Sequence, residues 1–269
     1  MPSTTSTVEN KKSWITPLKT IKGIFRILVF AIFSFICVVI QIFVLLTAKR
    51  QRTICFVPRI WHSGLTWIFG LKTNIKGTPL QGEGVLYVSN HLSYLDIPVI
   101  GKRLTCYFVA KKEVASWPFF GLLARTQKTL FIKRSTSGLK EAGQKIKSHL
   151  DKAENLVVFP EGTSSDGKMV LPFKSSLFNF SLQEGALIKI QPFTIRLVHV
   201  DGNDPDQDSY RDLYAWYGDM ELLPHLWAFS CSKGAEIELV FHPPMDIAQF
   251  PDRKSLAQKA EQEVRSALI

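Results

Sequence analysis

The feature that most constrains this chain is an uncharged run of 22 residues, 27–48 (ILVFAIFSFICVVIQIFVLLTA), in which Gln41 is the one strongly polar side chain. A bilayer core takes roughly 20 apolar residues as helix, so the run is long enough to span. It exceeds the roughly 7–15-residue apolar region of a signal peptide, and Lys49 and Arg50 follow where a small-residue cleavage site would stand. A helix apolar on all sides can also be buried inside a large protein. Basic residues flank this one at both ends, which favours membrane association. A second apolar stretch, 54–69 (ICFVPRIWHSGLTWIF), is interrupted by Arg59 and His62 and carries Trp61 and Trp67. That composition suits an interfacial or re-entrant helix. Two arrangements stay open: two helices dipping into one leaflet, or a single-pass anchor.

Charge follows the same division. The net charge is +10, and residues 1–52 hold eight of the 33 basic side chains but only one of the 23 acids. The rest of the chain is close to neutral, which argues against a nucleic-acid-binding surface spread over a folded domain. Basic residues lie on both sides of the apolar run, so their count gives little orientation. The four cysteines (Cys37, Cys55, Cys106, Cys231) are far apart and form no CxxC pair, which excludes zinc-finger and thioredoxin chemistry. Each sits in an apolar run and reads as a buried free thiol.

These patterns divide the chain into a disordered tail, 1–13, a membrane-anchoring helical segment, 14–70, and a domain, 71–269. Within the domain, short apolar runs at 85–89, 106–110, 129–132 and 156–159 read as buried strands. Later strands are expected at 188–200 and 236–242. A helix at 138–154 presents Leu139, Ala142, Ile146 and Leu150 on one face, and another is expected at 253–268. Alternating strands and helices predict an α/β domain with a central, mostly parallel sheet flanked by helices.

Four places could carry chemistry. His91 follows the strand 85–89 in NHLSYLD, with Asp96 five residues on. A carboxylate beside an imidazole fixes its tautomer and stabilises the imidazolium, as a general base requires. On a continuous helix the two would point about 140° apart, so a turn must separate them. Asn90, Ser93 and Pro98 permit one. The spacing alone is weak, because His199 and Asp204 repeat it; there a strand end and polar loop are the plainer reading. The second place is FPEGTSSDG, which follows the strand 156–159 and contains Glu161, Gly162 and Thr163. Loops leaving the carboxyl ends of parallel strands are where α/β domains hold ligands, and a Glu just past a buried strand needs a partner. The third is FIKR, ending in Arg134, which could bind a phosphate through two N–H groups. In the fourth, KIQPFTIRL, Pro192 interrupts a strand expected at a sheet edge or bulge.

Taken in order, NHLSYLD, FVAKKEVASWPFFG, LFIKR, FPEGTSSDG with LPFKSSLF, and KIQPFTI resemble the blocks of the 1-acylglycerol-3-phosphate O-acyltransferase family of glycerolipid acyltransferases. The resemblance covers roughly residues 71–200. It implies that His91 acts as general base on a lysolipid hydroxyl, with Asp96 orienting and charging it. The activated oxygen attacks an acyl thioester, and the thiolate leaves without a covalent acyl-enzyme. It further implies head-group binding by Arg134, Glu161, Gly162 and Thr163, an acyl-site role for Pro192, and a contribution from Lys112. The donor would be acyl-CoA or acyl carrier protein, a co-substrate rather than a cofactor, and no metal is called for. The implied acceptor is 1-acylglycerol-3-phosphate, giving phosphatidic acid. The family often reads FPEGTRS where this chain has Ser164. That departure, with YAWYGDM at 214–220, makes a lyso-ornithine lipid the second acceptor, with Arg134 and Lys174 as candidate sources of charge. Cytosolic donors place the domain on the cytoplasmic face of a bacterial inner membrane. Two other classes fit these residues less well. A non-catalytic lipid-binding protein would not need His91, Asp96 and Glu161 together. A serine hydrolase would need a GxSxG elbow, which is absent.

Overall fold

The computed structural model describes residues 16–82, 84–133, 136–182, 188–207 and 209–268. The 1–13 tail and Arg134 lie outside the described residues.

Eight strands form one sheet in the order β1-β7-β6-β2-β5-β3-β4, with β8 paired to β6. Their ranges are β1 Leu71–Lys76, β2 Val85–Ser89, β3 Tyr107–Lys111, β4 Leu130–Ile132, β5 Leu156–Val158, β6 Lys189–Val200, β7 Ala235–Phe241 and β8 Met245–Asp246. Pairings of β2 with β5 and β6, of β3 with β4 and β5, and of β1 with β7 are parallel. β6 pairs antiparallel with β7 and β8.

Strand β2 is buried along its whole length because both faces of the sheet are covered. Val85 and Tyr87 join one apolar cluster, and Leu86 and Val88 the other. The second cluster lies under α6 (Thr136–Leu150) and α9 (Arg253–Ser266), whose Ala142, Ile146, Leu256 and Val264 are buried. The first lies under the long α1 (Pro17–Thr47), α3 (Phe56–Ile68), α4 (Asp96–Gly101) and α8 (Leu222–Cys231). Short helices α2 (Gln51–Ile54), α5 (Phe120–Thr126) and α7 (Arg211–Tyr214) complete the α-helices among the described residues.

The N-terminal helices share that first core. Phe30 of α1 packs edge-on against Phe69 and Phe119. The indole N–H of Trp61 donates to Ser34 at 2.8 Å. Gly64 lets α3 approach α1, since a Cβ there would collide with the Phe33 ring. Gln41, the polar exception in the apolar run, is 2% exposed and donates to the carbonyls of Ile54 and Thr126. The basic residues before the run are also engaged. Lys22 and Arg26 donate to the Ser232 carbonyl and Arg26 to that of Ser230, at the C-terminal end of α8. Cations there answer the free carbonyls and the negative end of the helix dipole. Lys19 pairs with Asp201 at 3.4 Å.

All four cysteines are buried free thiols, as expected. Pro192 departs from expectation, for β6 is an interior strand. Pro192 pairs with Val88 of β2 on one side. On the other it falls between Ile190, the last residue paired with β8, and Phe193, the first paired with β7. A residue without an N–H fits that gap, and its carbonyl still accepts from His242 at 3.0 Å.

Candidate active site

Strands β2 and β5 are parallel neighbours, so their carboxyl ends deliver NHLSYLD and FPEGTSSDG to the same place. Past Ser89, the Asn90 side chain takes over the pairing with β6. Its Oδ1 accepts from the Ile195 amide at 2.8 Å, and its Nδ2 donates to the Ile195 carbonyl at 2.9 Å. This side-chain latch holds the chain as it leaves the sheet. The loop then turns, and Asp96 opens α4 with Pro98 in its first turn.

The turn brings His91 Nδ1 to 2.7 Å from Asp96 Oδ2. The same oxygen accepts from the amides of Leu92 and Ser93 at 2.8 and 3.0 Å, and Oδ1 accepts from the Tyr214 hydroxyl at 2.9 Å. Asp96 has no exposed side-chain surface, yet each oxygen has a donor, which is what a buried carboxylate requires. With a carboxylate on Nδ1, the imidazole keeps its proton there and leaves Nε2 free as a base. The His91 ring lies flat on Phe159 at the end of β5, centroids 4.0 Å apart and planes 11° apart. Its side chain is 21% exposed and lines a cavity.

That cavity holds about 350 Å³, within the usual range for small-molecule sites. Gly162, Thr163, Ser164, Lys111, Lys174 and Trp216 share its wall with His91, as do the apolar Phe30, Trp61, Leu65 and Leu123. Gly162 has φ +72°, and a Cβ on it would meet Lys174 Nζ at 2.5 Å. Ser164 Oγ donates to the Trp216 carbonyl at 2.5 Å.

Glu161 is not among the residues of the cavity wall. It is 2% exposed, accepts from the amides of Leu171 (3.0 Å) and His91 (3.3 Å), and so ties the two loops together. Burial pushes its carboxyl up to about 8, against the pull of those two amides. Lys112 lines a separate cavity with Lys133, Glu141 and Lys145; its neighbour Lys111 lines the one at His91. Pro192 is buried in the sheet and off the wall of the His91 cavity. His199 and Asp204 take other partners: His199 Nδ1 faces Glu236 at 3.2 Å, and Asp204 accepts from the Asp206 amide. Among the described residues no cluster of His, Cys, Asp and Glu could hold a metal ion. Sequence reasoning gave Tyr214 and Trp216 no role at the site. The signal available was YAWYGDM, an aromatic-rich segment outside any helix or strand pattern.

Comparison with known proteins decides the family. A lyso-ornithine lipid O-acyltransferase of Rhodobacter capsulatus is 39% identical over 204 residues, 75% of this chain and 71% of that protein. This chain belongs to the acyltransferase family. The family pattern described as Acyltransferase matches residues 72–196, which include His91, Asp96 and Glu161. A 1-acyl-sn-glycerol-3-phosphate acyltransferase of Neisseria gonorrhoeae is 30% identical over 191 residues, 71% of each chain. The crystal structure of the 1-acyl-sn-glycerophosphate (LPA) acyltransferase PlsC from Thermotoga maritima has the same fold. It gives a TM-score of 0.64 at 22% identity and covers 93% of both chains. In this acyltransferase α1 is, among the described residues, the helix long and apolar enough, by length and composition, to cross a membrane, and it is compatible with membrane association.

Proposed function

We propose that this acyltransferase moves a fatty acyl group from an acyl thioester to the free hydroxyl of a lysolipid, with His91 as general base. The observation that carries this reading is the 2.7 Å contact between His91 Nδ1 and a fully buried Asp96, beside an apolar cavity. His91 Nε2 takes the hydroxyl proton as the oxygen attacks the thioester carbon. The new C–O bond forms, a tetrahedral oxyanion follows, and its collapse expels the thiolate, which takes the proton from the imidazolium. The acyl chain lies against Phe30, Trp61, Leu65 and Leu123.

The acceptor we infer is an aminolipid of the lyso-ornithine type. Support comes from Ser164, whose hydroxyl is held by the Trp216 carbonyl where a phosphate-binding Arg often stands in the family. Trp216, whose carbonyl holds Ser164, stands on the same wall. A second reading, 1-acylglycerol-3-phosphate, is favoured by Lys111 and Lys174, two cations on the same wall that suit a phosphate. Purified protein given radiolabelled acyl-CoA or acyl carrier protein and each synthetic lysolipid should form diacyl product, fastest with lyso-ornithine lipid. Faster turnover of lysophosphatidic acid would reverse the order of acceptors. Product formation by His91→Ala at the wild-type rate would remove the mechanism.

For location we infer a seat in one leaflet of a bacterial inner membrane, the domain on the cytoplasmic side with the soluble donor. Helix α1 is about 46 Å long, and polar bonds tie it to the domain both near its start, at Lys22 and Arg26, and near its end, at Gln41. A helix upright through the bilayer would draw those partners in with it. Its outer face, with Phe25, Phe35 and Phe43, is exposed together with Phe56 and Trp67, an apolar surface of the kind that lies in an interface. Replacing Phe25, Phe35 and Phe43 by Ser should release the protein from vesicles of anionic phospholipid in flotation. Unchanged flotation would sink the single-leaflet seat.

A further inference from the structure

Asp96 and Tyr214 are 118 residues apart in sequence and meet at 2.9 Å. Asp96 Oδ2 is crowded, facing His91 Nδ1 and the amides of Leu92 and Ser93. Oδ1 takes the Tyr214 hydroxyl. Without that donor, Oδ1 would be an unpaired oxygen in a dry site, and the carboxylate could turn to exchange its oxygens.

Tyr214 is well placed for the task. It is 0% exposed, ends α7, and packs edge-on against Phe229 at 6.2 Å. Burial, with Asp96 beside it, drives its own ionisation far above the usual phenol range, so it remains a donor at any working pH. The residues that follow bind both catalytic loops. The Trp216 amide donates to the Leu92 carbonyl at 2.9 Å, and its carbonyl accepts from Ser164 at 2.5 Å. The segment 214–216 is thus a strap across NHLSYLD and FPEGTSSDG, with one side chain directed at the reacting pair.

We propose that Tyr214 is a positioning residue for acyl transfer, its hydroxyl fixing the Asp96 carboxylate so that the opposite oxygen stays on His91 Nδ1. The inference rests on His91 being the general base. Several other groups face the pair. Glu161 reaches the His91 amide, Tyr94 lies beside Tyr214 with His225 at 3.0 Å behind it, and Lys111 and Lys174 stand on the cavity wall. None of these donates to Asp96 among the described hydrogen bonds, so the donor on Oδ1 is the Tyr214 hydroxyl.

The consequence has a sign. A donor on Asp96 draws off part of its charge and weakens its hold on the imidazolium. In Tyr214→Phe the pair should take up a proton more readily, so the acid limb of the kcat/KM profile moves to higher pH by about one unit. The plateau kcat should fall about tenfold with KM unchanged. Placing 3-fluorotyrosine at 214, a more acidic phenol of nearly the same shape, should move the limb to lower pH. The measurements use the full-length protein in detergent, with imidazole titration by NMR assigned through His91→Ala. A titration of His91 that moves with the limb in both variants supports the proposal. A kcat loss with an unmoved limb and unmoved titration overturns it and leaves a merely structural tyrosine. The two readings fail differently: a His91→Ala protein of full activity would remove the general base whatever Tyr214 does.

Discussion

The spacing His-x4-Asp occurs twice in this chain, and the two copies meet different surroundings. His91 and Asp96 flank a turn at the end of β2, where Asn90 latches the chain to β6 and Asp96 is wholly buried among four donors. His199 lies on β6, which overruns β2. It is six residues beyond Phe193, the partner of Ser89, or about 20 Å along the strand. Its side chain is 52% exposed against Glu236, and Asp204 caps a turn in solvent. The first pair is held by neighbours that came from 70 to 118 residues away. The second has only local partners and the next strand. A five-residue step from an imidazole to a carboxylate therefore says nothing until the fold supplies a burial site and donors for the carboxylate.

The largest effect that could break this contrast is at His91. Replacement by Ala should lower kcat/KM by at least about 10³-fold, the scale of a lost general base. Asp96→Asn should cost about 10²-fold or more, because an amide cannot hold the imidazole tautomer as a carboxylate does; a smaller loss would mean that orientation by Asp96 contributes little. Next comes Gly162→Ala, which forces a β-carbon into a left-handed backbone against Lys174. A drop of about tenfold in kcat/KM and about 1 kcal/mol in stability is expected, measured by steady-state assay and denaturant titration. Glu161 sharpens the comparison through pH. Its folded pKa, about 8, is raised above that of an unfolded carboxylate, about 4.3, so the folded chain binds a proton that the unfolded chain releases. That contribution is complete below the unfolded value and is lost as pH rises through about 8. Thermal midpoints should fall between pH 6 and 9 in the wild type, with less of a fall in Glu161→Gln; parallel curves would contradict the assignment. At the small end, His199→Ala should leave turnover within about twofold and stability within about 0.5 kcal/mol, as for an exposed side chain.

Much of the fold was legible. The strand at 85–89 matched to the residue, because both sides of the sheet are covered and every position of the run is buried. The helix expected at 138–154 runs Thr136–Leu150, and the one at 253–268 runs Arg253–Ser266. β1 was not singled out, since LKTNIK has one buried side chain and lies at the sheet edge. β8, two residues long, carries no pattern at all. In sequence the basic residues near the apolar run look like membrane flanks, whereas Lys22 and Arg26 cap α8, two hundred residues on. Their charge was visible in the sequence, but the helix end that uses it was not.

At the site, the turn between His91 and Asp96 could be deduced, because an unbroken helix would have pointed them apart. The apolar run, the alternating strands and helices, and the ordered blocks from NHLSYLD to KIQPFTI are local properties of the sequence, and they determined the α/β class and the acyltransferase assignment. Which oxygen of Asp96 meets His91, that Glu161 turns inward as a tie, and that Tyr214 closes over the pair were decided by the tertiary structure alone. The physical reason is that burial and hydrogen-bond satisfaction belong to a place in space. The groups that fill this place come from β2, β5, α4 and α7, and only the sheet order brings them together.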